Sequence, residues 1–186
     1  MNFQQAASLF QNGDVEGLAN DPYGLRYLKL RTLSRKEYLK RLFRKAEYPI
    51  GEDISAQKLF KTAFDSGITD GVINQAIREI DREGRAERIE KRSEIVDELY
   101  KLQFFDWGGL YQNSLERTIV NNYVKKIWSY ENITDRIDNE LHHSMRGYVL
   151  CSWYNHWTSI LIEDIFRDHK NVLPAIGRVK KVDFFI

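Results

Sequence analysis

The sequence is poor in the residues that staple small proteins. It has one cysteine in 186 residues, Cys151, which excludes an internal disulfide, and no cysteine cluster points to structural zinc. Three prolines and eleven glycines are too few for a collagenous or linker-like segment. No apolar run approaches the roughly 18 residues of a transmembrane helix. The opening "MNFQQAASLFQNGDVEG" lacks the basic start and apolar stretch of a signal peptide. A soluble, cytoplasmic chain with no membrane partner is therefore expected. Histidines are sparse as well. His142 and His143 are adjacent and cannot share a helix face, His156 and His169 stand alone, and no His-x-x-x-His pair suggests a zinc site. Net charge is only +1, which by itself neither favours nor excludes nucleic acid.

Apolar residues make up 42% and charged residues 30%, a globular balance, and the length suits one sizeable domain or two small ones. The charges are segregated. Arg26, Lys29, Arg31, Arg35, Lys36, Lys40, Arg41, Arg44 and Lys45 face a single acid, Glu37, whereas Glu131, Asp135, Asp138 and Glu140 face a single Arg136. A basic surface can thus exist on a nearly neutral protein, and the segment from Arg26 to Lys45 is the expected phosphate-contacting surface.

The front of the chain reads as helical. "SRKEYLKRLFRKAEYP" opens with a capping box, Ser34 with Glu37, and stops before Pro49. Tyr38, Leu39, Leu42, Phe43 and Ala46 form its apolar stripe, with Lys36, Lys40 and Arg44 a basic stripe beside it. "SAQKLFKTAFDSG" starts at Ser55 and closes at Gly67. "TDGVINQAIREIDREG" follows, with Thr69 as N-cap, Gly84 as the residue after the C-cap, and Val72, Ile73, Ala76, Ile77 and Ile80 inward. This pair has the outline of a helix-turn-helix, equally the outline of a plain helical hairpin. Asn74, Gln75 and Arg78 on its second helix carry the side-chain chemistry that reads base edges. "AERIEKRSEIVDELYKLQFF" is one charged helix with Ile89, Ile95, Val96, Leu99 and Leu102 inward. "DWGGLYQN" breaks it, "SLERTIVNNYVKKIWSY" is a further helix, and the stretch from Ile133 to His169 is one long helix or two, with Gly147 the joint. The chain divides into a helical region over 1–110 and a second part over 111–186.

The tail changes character. "NVLPAI" and "RVKKVDFFI" read as strands, with Val182, Phe184 and Ile186 on one face and Lys181, Asp183 and Phe185 on the other. Glu163 interrupts an apolar helix and Asp183 an apolar strand. An acid in such a setting costs free energy unless it is paired, hydrated or bound to a metal. Together they would make half of a divalent-metal site, and hard oxygen ligands suit Mg2+.

The stretch "CSWYNHWTSILIEDIFRDHKNVLPAIGRVKKVDFFI" resembles the start of the catalytic core of a type II restriction endonuclease of the PD-(D/E)XK nuclease superfamily. That resemblance implies a mainly α protein whose helical front leads into the first helix and strands of an incomplete α/β core. It implies Glu163 as the helix acid and Asp183 as the strand Asp, both catalytic and both metal ligands, with Mg2+ as cofactor and double-stranded DNA as substrate. Val182 stands where the family usually has proline. The family's (D/E)-x-K strand would follow Ile186, so this chain alone is expected to be an inactive nuclease part, completed by a missing C-terminal portion or paired as a homodimer. Two alternatives fit the same residues: a non-enzymatic helical DNA-binding or regulatory module, and a helical protein-interaction domain.

Overall fold

The computed structural model describes residues 1–51, 53–103, 117, 119–127, 129–179 and 182–186. The protein is mainly helical, with a single two-stranded antiparallel sheet among the described residues. It divides into two bodies. The first joins Met1–Ile89 to Phe166–Ile186, and the second is Glu90–Ile165.

Helices α1 (Phe3–Gln11), α2 (Val15–Ala19), α3 (Pro22–Thr32), α4 (Lys36–Lys45), α5 (Ala56–Asp65) and α6 (Asp70–Gly84) build the first body. Local chemistry starts most of them. Asn2 and Gln5 form a reciprocal capping box on α1, Asp21 accepts from the Gly24 N–H at 2.8 Å ahead of Pro22, and Ser55 and Thr69 cap α5 and α6. The expected capping box of Ser34 with Glu37 does not form. α4 starts one residue late, with Arg35 at the cap and no side-chain bond. Ser34 is used otherwise: its N–H bonds the Arg31 carbonyl in the turn out of α3. Gly84 is likewise the last helical residue rather than the one beyond it, and Arg85 is the C-cap.

The core follows helical periodicity. Leu39, Leu42 and Phe43 of α4 and Ile73, Ala76, Ile77 and Ile80 of α6 are buried, as expected, against Leu28, Leu30 and Leu33 from the α3 region. Tyr27, Phe60 and Phe3 pack edge-on, with the Tyr27 and Phe60 rings 5.1 Å apart. α4 packs on both α5 and α6.

The two strands, β1 (Leu173–Val179) and β2 (Val182–Phe185), form a hairpin with each other, pairing Leu173 with Phe185 and Val179 with Val182. The first strand therefore runs through Val179, further than "NVLPAI" suggests; Lys180 and Lys181 lie outside the described residues. β1 rests on α3 and α6, and Leu173, Val179 and Phe185 enter the core. Gly177 makes this docking close. A Cβ there would stand 2.5 Å from the Thr32 carbonyl oxygen. Gly177→Ala is expected to cost about 1–3 kcal/mol through that overlap, measured as a shift in the urea midpoint; an unchanged midpoint would show that the hairpin slides freely on α3.

The charged stretch after Arg85, which starts in the first body and continues in the second, is not one helix. It breaks at Lys91 into α7 (Ala86–Glu90) and α8 (Arg92–Tyr100), and of its expected inward residues only Leu99 is buried. "DWGGLYQN" and the start of the next helix lie outside the described residues. π-helical turns occur at Val120–Val124 and Ile137–Leu141. α9 (Tyr130–Arg136) leads through the second of these into α10 (His142–Asp168), which runs unbroken through a buried Gly147. The joint is thus the π turn, which absorbs an extra residue where the backbone pattern changes.

Candidate nucleic-acid interface

Lys36, Lys40 and Arg44 stand one turn apart on α4, beside its buried Leu39, Leu42 and Phe43, with Lys36 and Lys40 half-buried and Arg44 exposed. Like charges at four-residue spacing repel by a few tenths of a kcal/mol per pair. Among the described residues none of the three makes an ion pair, although Glu37 stands on the same side of the helix, three residues before Lys40. The acids that reach this helix go to its flank. Arg41 makes two bonds of 2.7 Å to Glu83 of α6, and Lys45 bonds Glu79 at 2.8 Å. The Arg41 hydrogen bond holds the Glu83 carboxyl below the usual range, so that pair persists at neutral pH and weakens only as pH falls through the lowered value. Two cations are thus spent on joining α4 to α6, and three are left on an outward row. From Lys36 to Arg44 the row is about 12 Å long. A DNA strand rises about 3.4 Å along the duplex axis per phosphate and its phosphates are further apart than that along the strand, so three cations match at most about three phosphates.

The basic segment is otherwise not the surface that its composition suggests. Arg26 and Lys29 are buried, at 9% and 8% exposure. Arg26 donates to the Ala63, Phe64 and Ser66 carbonyls at the end of α5 and, at 3.0 Å, to Asp70 at the start of α6. Lys29 reaches the same carboxylate at 3.2 Å. The physical reason is that a helix C-terminus leaves carbonyls unpaired, and a guanidinium fork satisfies several of them at once. Arg31 and Arg35 lie over the Phe10 and Tyr38 rings.

The helix-turn-helix outline does correspond to two helices joined by a short turn, α5 and α6. α6, however, is packed on α3, α4 and β1. Its outer face is what a ligand would meet. Gln75 is exposed there and donates to Glu79 at 3.3 Å; Arg78 donates to the Lys170 carbonyl at 2.8 Å; Asn74 is half-buried, its side-chain oxygen buried without a hydrogen bond among the described residues.

Comparison with known protein families, curated proteins and solved structures finds no match.

Of the two expected metal ligands, Glu163 is exposed on α10 in the second body and Asp183 is exposed on β2 in the first. The acid that α10 buries is the neighbouring Asp164, which is fully inaccessible. Among the described residues no group of three or more His, Cys, Asp or Glu is placed to hold a metal ion. No helix among them is long and apolar enough to cross a membrane.

Sequence reasoning overlooked Arg85 and Arg167. Both meet the buried carboxylate of Asp81, Arg85 at 2.8 Å, and Arg85 also bonds Asp168 at 2.9 Å. One signal was present: Arg78, Arg82 and Arg85 follow at four- and three-residue spacing, which puts three guanidiniums on successive turns of one face. Arg167 could not be joined to them without the fold, because it lies more than eighty residues away in the chain.

Proposed function

We propose that this protein binds double-stranded DNA through the outward row of Lys36, Lys40 and Arg44, which sits on phosphates without reading sequence. The observation that carries the reading is the contrast within α4: Arg41 and Lys45 are paired with acids of α6, while the three cations of the next face are not. A row of cations without ion-pair partners costs folding free energy that is recovered when it displaces condensed counterions from a polyanion. The test is duplex binding by fluorescence anisotropy across a salt series. Replacing all three by glutamine should weaken binding roughly 10- to 100-fold and flatten the slope of log affinity against log salt by about 2.7, at 0.9 per phosphate. An unchanged slope would remove α4 from the interface and favour an acidic protein partner.

A second reading, a part of an Mg2+-dependent type II restriction endonuclease, is favoured by one observation. α10 is followed by a hairpin whose second strand carries Asp183, which is the order that the resemblance to that family implies. In it, Glu163 and Asp183 would contribute carboxylates to a site that needs further ligands. It predicts that Mg2+ strengthens duplex binding, with little or no cutting by this chain alone, and that Asp183→Ala abolishes the Mg2+ effect. Duplex binding that is indifferent both to Mg2+ and to Asp183→Ala would leave DNA binding as the whole activity.

A further inference from the structure

The end of α6 borders a cleft of about 350 Å³ in which four arginines, Arg78, Arg82, Arg85 and Arg167, face two carboxylates, Asp81 and Asp168. The apolar side chains of Ile89 and Pro174 complete its wall. The carboxylates are committed. Asp81 is buried and bound by Arg85 and Arg167, and Asp168 accepts from Arg85 at 2.9 Å. Arg78 uses one N–H on the Lys170 carbonyl at 2.8 Å, which aims its guanidinium and leaves the rest of the fork for another acceptor. Arg82 lies one turn on, exposed, and its side chain has no bond among the described residues.

The negative end of the α6 dipole accounts for a cation near Arg82 and Arg85. It does not account for Arg78 a full turn earlier, nor for Arg167 brought in from α10. Guanidiniums held this close repel one another, and the lining has two more cations than anions. Arginine forks beside a partly apolar wall are suited to a tetrahedral oxyanion, which takes paired N–H donors from each fork.

We propose that this cleft binds a phosphoryl group, with Arg82 and the unused donors of Arg78 on its oxygens and the Asp81-bound Arg85 and Arg167 behind them. The inference is independent of the α4 row, which belongs to a different face of the protein's chemistry and can fail alone. The phosphoryl group could belong to free phosphate or a phosphomonoester, or to the DNA backbone, and the experiment separates these sources.

Thermal unfolding is followed by far-ultraviolet circular dichroism while inorganic phosphate replaces chloride at constant ionic strength. The wild type should gain about 3 °C at several times the dissociation constant. Arg82→Gln, at an exposed position that the fold does not use, should lose that gain, and Arg82→Lys, which keeps charge but not the fork, should recover less than half of it. The combined Lys36, Lys40 and Arg44 to glutamine variant should keep it in full. If phosphate has no effect but Arg82→Gln weakens duplex binding about tenfold, the group bound is a DNA phosphate and the proposal stands in that form. A gain of equal size in Arg82→Gln, or no effect of that variant on either ligand, overturns it.

Discussion

Asp81→Ala is expected to destabilise the first body by about 3–5 kcal/mol. The Asp81 carboxylate is 4% exposed and Arg85 beside it 6%, so neither has water in reserve. Asp81 accepts from Arg85 at 2.9 Å and from Arg167, and so ties the end of α6 to the last turn of α10. A buried ion pair often adds little over an apolar pair of the same shape, but deleting Asp81 removes the carboxylate that two guanidiniums share, and that is the costly change; Arg85 keeps its bond to Asp168 at 2.9 Å, which puts the cost at the lower end of the range. Set against a total of about 5–15 kcal/mol for an ordinary domain, the loss would leave the fold marginal. Asp81→Asn keeps the shape and one acceptor and should lose less. Arg82→Gln in the same cleft should stay within about 0.5 kcal/mol. Urea unfolding measures all three. A cost below about 1 kcal/mol for Asp81→Ala would mean that the network is solvated and does not hold these segments together.

Arg26→Leu should be nearly as damaging, at about 3 kcal/mol or more. The substitution keeps apolar bulk on α3 but removes the guanidinium's bonds of 2.9 to 3.2 Å to the carbonyls of Ala63, Phe64 and Ser66, of which Ala63 keeps the Ser66 hydroxyl at 2.9 Å. Each buried acceptor left unmade costs about 1–3 kcal/mol, reduced where water can enter. Asp70 would keep Lys29. Arg26→Lys should recover only part of the loss, because an ammonium cannot cover several carbonyls from one position. The choice of probe matters here. All four tryptophans, Trp107, Trp128, Trp153 and Trp157, lie outside the two segments of the first body, so its unfolding is followed by circular dichroism or tyrosine signals instead. If Arg26→Leu unfolds at the wild-type midpoint, the α5–α6 turn is held by its own caps alone.

Patterns that depend on neighbours three or four residues apart were legible in the sequence. The buried stripe of α4, the buried face of α6 and the caps at Ser55 and Thr69 all lie where periodicity and side-chain chemistry put them. Short-range rules failed where a second element competed for the same group. Ser34 gives its backbone to the turn out of α3, so its capping box with Glu37 is not made. In "IEDIF" the sequence offers two adjacent acids, and a helix that turns 100° per residue buries only one; packing selected Asp164 over Glu163.

The sequence by itself determined that the protein is mainly helical, that α5 and α6 begin after Ser55 and Thr69, and that Lys36, Lys40 and Arg44 share one face of α4. All of these are set by contacts within one or two helical turns. Only the tertiary structure decided what each charge is for. Arg26 and Lys29 have the same composition as the α4 row, yet they are structural, because α5 ends beside them. Arg167 joins the α6 arginines only because the chain returns Phe166–Ile186 to the first body. A charge acquires its role from the groups within about 4 Å of it, and for these residues those groups lie far away in the chain.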